Sequence, residues 1–206
     1  MCRIVQQVRA NTLGLIPDVA DNWFWCALTK HDWTAAEQAL AALGENPSWV
    51  DQALRLDRQF GEGLLARVMH DEARAQRAFA AARTAQEKIV QQQKDYGPAL
   101  CVLGLIDAAL GNKEAALQEG RGAMELMPRE KDLVNAEVLI GWFAVIAAWA
   151  GEKDLAIEQL NAALPLPGAA NITSYGVLKL MPFWDPLRGD PRFEQIVQSL
   201  APASPR

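Results

Sequence analysis

The sequence predicts an all-α protein built from repeated helical hairpins, and three observations predict it. The stretches LGLIDAALGNKEAALQEGRGAMELMP (residues 103–128) and FAVIAAWAGEKDLAIEQLNAAL (residues 143–164) share one frame: an apolar Ala-rich run, Gly-x-Lys-acid, Ala, then a second amphipathic run. Turn signals recur at a near-constant interval. Gly111-Asn112-Lys113 and Gly151-Glu152-Lys153 lie forty apart, and similar steps backward reach His70-Asp71 and His31-Asp32. Between these turns apolar residues fall at helical steps and strand formers are few; self-similarity at such a period marks stacked supersecondary units.

The elements follow in chain order. The first hairpin offers Trp23, Phe24 and Ala27, then Ala36, Leu40 and Leu43. The second offers Gly63 and Ala66, then Ala75, Phe79 and Ala82; residues Asp71 to Lys94, without Gly or Pro, are expected to form its long second helix. In the third, Pro98 suits a first helical turn because its missing N–H would be unpaired there. Leu100, Leu103, Ile106 and Leu110 then make one apolar stripe, Gly111 is expected to stop the helix and Asn112 to cap the next. Gly104 inside this helix costs about 1 kcal/mol against Ala, which fits a close helix approach. Ile140, Phe143, Ala144, Ala147, Ala156, Leu160 and Ala163 keep the frame in the fourth. Repeats are therefore expected to start near residues 17, 56, 97 and 137 within an array spanning 1–170. A capping segment over 171–200 follows, with Asp190 as N-cap, Pro191 in the first turn and Phe183, Trp184, Leu187 and Phe193 covering the open end. Residues 201–206 read as a frayed tail.

Bulk properties exclude several classes. The 206 residues are 50% hydrophobic with a formal net charge of -5, ordinary globular composition without the basic stripe that nucleic-acid binding needs. No uncharged run approaches the ~20 residues of a membrane span. Three scattered cysteines, Cys2, Cys26 and Cys101, and no apolar leader are expected to belong to a reduced, cytoplasmic chain.

Chemistry is not conspicuous. His31 and His70 both fall in turns, and Cys26 with His31 falls short of the roughly four converging ligands that zinc requires. Cys26 and Cys101 lie on apolar stretches without a recognisable base. The glycines of Gly61-Glu62-Gly63 and Gly120-Arg121-Gly122 lack a strand-to-helix setting for phosphate. No catalytic residue, metal or cofactor is expected. The seven tryptophans are the outstanding feature: Trp142 and Trp149, seven apart, share a helix face.

Leu100-x-x-Leu103-Gly104-x-x-Asp107, with Ala116, Ala123 and Pro128, resembles the tetratricopeptide repeat (TPR), with Leu100 for the usual Trp, Asp107 for Tyr and Gly120 for Phe. The resemblance covers about three quarters of the chain and implies a right-handed superhelical array of about four helix-turn-helix hairpins with a C-terminal capping helix. The observed steps of about forty exceed the family's usual 34. Residues 178–200 are also similar to the segment closing TPR arrays of bacterial multidomain regulators; kinase H-R-D and D-F-G motifs and a P-loop are absent from the sequence. In the family, the first helix of each hairpin lines a concave surface that receives an extended peptide or a helix. In register, that surface would present Trp25, Leu64, Arg67, Leu105, Trp142, Val145 and Trp149. A carboxylate clamp is not expected, because the matching positions hold Asp21, Phe60, Cys101 and Gly141. The implied function is a non-catalytic scaffold binding a protein or peptide in an apolar groove, as the regulatory part of a bacterial signalling protein or a stand-alone relative of one. The alternative is a structural module whose apolar face is filled by a second copy, giving a homodimer, or by its own tail.

Overall fold

The computed structural model of the protein describes residues 17–43, 48–51 and 54–202. Cys2 and residues 203–206 of the expected tail lie outside them. The described residues are predominantly helical, and four helix–turn–helix pairs follow one another: α1 (Pro17–Thr29) with α2 (Trp33–Ala42), α3 (Arg58–Val68) with α4 (Glu72–Gln92), α5 (Gly97–Leu110) with α6 (Lys113–Leu126), and α7 (Leu133–Trp149) with α8 (Lys153–Ala163). The chain divides into two compact units, the first through Gln86 and the second from Glu87.

All four hairpins turn by the same device. The residue after the first helix takes a left-handed conformation, with φ of 58° at His31, 61° at His70, 85° at Gly111 and 81° at Gly151. Its N–H reaches back three residues, and the next N–H reaches back five: Asp32 to Ala27 O (3.0 Å), Asp71 to Ala66 O, Asn112 to Asp107 O and Glu152 to Ala147 O (each 2.9 Å). This paired closure satisfies carbonyls that a helix end would otherwise leave bare. The second helix then begins identically, with Ala36, Ala75, Ala116 and Ala156 donating to the residue four before and all four buried. Successive turns are thus 39, 41 and 40 residues apart, the interval of the sequence punctuation.

Two of the four turns lack the glycine that this conformation favours. An L-residue in the left-handed region costs roughly 1–2 kcal/mol, while glycine returns part of that as chain entropy in the unfolded state. Replacing the exposed His70 with Gly is therefore expected to stabilise the chain by about 0.5–1 kcal/mol. A higher urea midpoint at unchanged slope is the readout; a lower midpoint would mean that the imidazole makes a contact worth more than the backbone preference.

Aspartates cap three of the helix starts, those of α2, α4 and α7. Asp32 accepts from Ala35 N–H (3.1 Å), Asp71 from Arg74 N–H (3.0 Å) and Asp132 from Asn135 N–H (3.1 Å). Asn112 is the exception. It sits at the N-cap of α6 without a side-chain cap bond, and its amide instead donates to Asp107 Oδ1 (2.6 Å), tying the turn to a buried carboxylate of α5. Gly104 is where helices meet closely: a Cβ there would stand 3.0 Å from Ala116 O.

An antiparallel hairpin departs from the all-helical expectation. Strand β1 (Ser48–Asp51) pairs with β2 (Leu54–Asp57), with Trp49 opposite Leu56 and Val50 opposite Arg55. Leu54 and Leu56 are buried while Arg55 is exposed, the period-two pattern of a half-buried strand. Asp57 ends β2 and caps α3 through Phe60 N–H (2.8 Å), so the first helix of the second pair opens at Arg58. Cys101 is a buried free thiol.

In the first unit α1 packs on α2, and α3 meets α4 through an edge-on Phe60–Phe79 pair with centroids 5.6 Å apart. In the second unit α5 packs on α6 and α7, and α7 on α8. After α8 the chain forms a 3-10 turn (Pro167–Ala169), α9 (Ala170–Thr173), α10 (Tyr175–Leu180), a second 3-10 turn (Pro182–Leu187) and α11 (Pro191–Ser199). This segment has its own small core. Trp184 is fully buried, donates to Ile172 O (3.1 Å) and stacks on Phe193, while Arg188 donates to Leu178 O (3.1 Å) and Met181 O (3.3 Å).

Asp190 starts α11 by accepting from Arg192 N–H and from its guanidinium, and these bonds hold its carboxyl down to about 2. The folded value lies below the ordinary ~3.9, so the cap contributes fully above that value and is lost as pH falls towards the folded value. Acid titration is expected to loosen α11 between about pH 4 and pH 2, seen in the Phe193 resonances. Asp190→Asn should flatten that response; an unchanged titration would show that another carboxylate governs it.

Candidate functional site

Helix α7 is apolar almost all round, and residues Ala136 to Leu139 and Gly141 to Ala148 are buried. Such a helix needs cover on every side. One side is given to α5 and α6 and another to α8. A further stripe, Glu137, Gly141, Val145 and Trp149, advances four residues at a time and so stays on one face over about 18 Å. The chain's own C-terminal segment lies along it.

Contacts run the length of the stripe. At its start Glu137 Oε2 accepts the Gly168 N–H at 2.9 Å, while Oε1 accepts from Arg129 at 3.0 Å. Gly168 must lack a side chain, since a Cβ would stand 2.7 Å from Val134 O. One turn on, Gly141 leaves room for Ile172, whose Cγ2 would be 2.6 Å from an added Cβ. At the far end the Phe183 ring stands edge-on to Trp142 (5.1 Å, 76°) and tilted to Trp149 (5.9 Å, 32°). The Trp149 indole N–H donates to the Phe183 carbonyl at 2.8 Å. Side chains of α7 thus hold a backbone donor at one end of the segment, a backbone acceptor at the other and an aromatic ring beside it. Backbone reading combined with side-chain pockets is how proteins recognise extended peptides.

Of the seven residues expected to face a ligand, Leu64, Leu105 and Val145 have no exposed surface and Trp142 has 2%. They are interior residues as the chain stands. Trp25, Arg67 and Trp149 are half-buried, and each is engaged. Trp25 donates to Asp21 Oδ1 (3.0 Å), the Arg67 guanidinium lies 4.9 Å above the Phe79 ring, and Trp149 holds Phe183. The structure therefore joins Trp142 and Trp149 around Phe183, and keeps Trp25, Leu64 and Arg67 in the first unit. Sequence reasoning gave Phe183 a role in covering the array's end but no place on this stripe, and it missed Glu137 as an anchor. A lone carboxylate inside an apolar helical run was the available signal, because such a group is buried only with partners.

Elsewhere the chemistry is plain. Burial pushes the Cys101 thiol well above its ordinary range, which keeps it protonated. His31 and His70 are exposed at turns. Among the described residues no group of three or more His, Cys, Asp or Glu could hold a metal ion, and no helix is long and apolar enough to cross a membrane. An open cleft of about 540 Å³ on α5 and α6 is lined by Leu100, Gln118, Glu119, Gly122 and Glu125, with Arg121 turned to the Phe143 ring at 5.9 Å. No protein-family model, curated protein or solved structure matches the chain.

Proposed function

We propose that this chain is a non-catalytic, TPR-like helical-repeat scaffold in which the apolar face of the fourth hairpin is filled by the chain's own C-terminal segment. The observation that carries the reading is Phe183 seated against Trp142 and Trp149, with its carbonyl held by the Trp149 indole. The four turns, closed by the same hydrogen-bond pattern, support the repeat, and a right-handed superhelical stacking is the arrangement the resemblance implies for them. Self-filling removes from α7 the open groove that would receive a protein or peptide.

Partner binding is a second reading, and one observation favours it in the first unit. Trp25 and Arg67 there keep exposed surface, as Trp149 does in the second unit, but neither of them is covered by the C-terminal segment that holds Trp149. A protein or peptide ligand is assigned to that surface. Aromatic and arginine anchors dominate binding energy at such interfaces.

Fluorine NMR of the protein labelled with 5-fluorotryptophan tests both readings. Trp142 is expected to show no solvent-isotope shift in the free chain, and a captured partner is expected to move Trp25 while leaving Trp142 and Trp149 in place. A solvent-exposed Trp142 signal in the free chain would contradict self-filling. A partner that moves Trp142 and Trp149 but not Trp25 would contradict the assignment to the first unit.

A further inference from the structure

We propose that the open cleft on the third hairpin is a docking site for a short basic segment of a partner protein, one carrying Arg or Lys at alternate positions. The cleft, about 540 Å³, lies along α6 beside Leu100 of α5, within the second unit. Its lining includes no residue of the α7 stripe, so it is independent of how that stripe is filled.

The first support is a glycine that helix packing does not account for. Helices α5 and α6 hold Gly97, Gly104, Gly120 and Gly122, and three of these admit a neighbour. An added Cβ would stand 2.5 Å from Ala123 O at Gly97, 3.0 Å from Ala116 O at Gly104 and 2.5 Å from the Phe143 ring at Gly120. Gly122 is different: a Cβ there would meet only the Leu100 Cδ2 methyl, at 3.1 Å. Glycine is unfavourable inside a helix relative to alanine, and here the space that it opens is the cleft itself.

The lining then selects the occupant. Leu100, Ala115 and Gly122 make an apolar floor, and Gln118, Glu119 and Glu125 border it. Arg121, the one cation of the lining, has its guanidinium over the Phe143 ring, 5.9 Å from the centroid. Two carboxylates therefore border an apolar floor, and their complement is cationic. A Lys or Arg side chain matches both parts, with its methylene stem on the floor and its charged head beside a carboxylate. The α6 axis advances about 15 Å from Ala115 to Glu125, the length of roughly four or five extended residues. Glu119 and Glu125 stand about 9 Å apart along it, and side chains two apart on an extended peptide about 7 Å, a difference that long basic side chains span. Gln118, exposed at the border, offers its amide to a peptide backbone, a group that a free polyamine lacks. The close helix approach at Gly97 and Gly104 fixes both walls beforehand, so docking orders only the peptide.

Titration of the full chain with acetylated and amidated Ala-Arg-Ala-Arg-Ala, followed by NMR, tests the site. The Leu100 methyl and Gln118 side-chain amide resonances should shift, and the peptide with Gln in place of both Arg should move neither. Gly122→Leu fills the cleft and suits a helix better, and it should abolish the shifts. Glu125→Gln should weaken binding about 3-fold at low salt and less at high salt. Wild-type protein without shifts at millimolar peptide, equal shifts with the Gln peptide, or shifts that persist in folded Gly122→Leu would each overturn the site. Should Gly122→Leu not fold, an affinity unchanged by Glu125→Gln at low salt overturns it instead. Spermidine moving the same resonances as strongly as the peptide would overturn the assignment to a protein partner.

Discussion

Phe183→Ala is expected to lower the stability of the chain by about 3–5 kcal/mol, the usual cost of truncating a buried aromatic side chain. The ring is 3% exposed and touches two tryptophans, so the void left behind has rigid aromatic walls that collapse poorly. The backbone bond from Trp149 to residue 183 survives the substitution, and so does the Trp184–Phe193 core. The loss is thus confined to the docking of the C-terminal segment, or arm, on α7. A chemical denaturation curve should show a lower midpoint, accompanied by a red shift of tryptophan emission under native conditions. Destabilisation without the red shift would mean that Phe183 serves the arm's own core rather than the α7 face.

Gly120→Val is expected to cost about 1–3 kcal/mol through overpacking. Gly120 is buried on α6, and a Cβ there would stand 2.5 Å from the Phe143 ring and 3.3 Å from Ile146. Helix propensity works in the other direction but by less than ~1 kcal/mol, so sterics decide the sign. The Phe143 ring of α7 fills the space beside this position, and the glycine makes room for it. A double-mutant cycle checks the exchange of bulk. Gly120→Val combined with Phe143→Ala should cost clearly less than the sum of the two single changes. Strict additivity would show that the two positions do not share one space.

The hairpins were legible because their signals are local. A left-handed residue, a polar residue after it and a buried Ala within six positions define each turn, and the sequence repeats that spacing at 31, 70, 111 and 151. The hairpin of β1 and β2 was hidden because each strand has only four residues, too few for alternation to stand out from helical spacing. The stripe on α7 was half legible. Trp142 and Trp149 read correctly as one face, yet what covers that face is decided by Phe183, thirty-four residues beyond Trp149. Periodicity shows that a face is apolar and cannot show which later segment will lie upon it. Gly141 illustrates the difference: in sequence it was a missing clamp residue, and in the structure it is the gap that admits Ile172.

The central claim is that the arm occupies the α7 stripe, and the most direct measurement is the set of nuclear Overhauser contacts from the Phe183 ring in isotopically labelled protein. The account predicts cross-peaks from that ring to the Trp142 and Trp149 indoles, together with slow exchange of the Trp149 indole proton bonded to the Phe183 carbonyl. A Phe183 ring without contacts to either indole, and a Trp149 indole proton exchanging as fast as a solvent-exposed one, would contradict it.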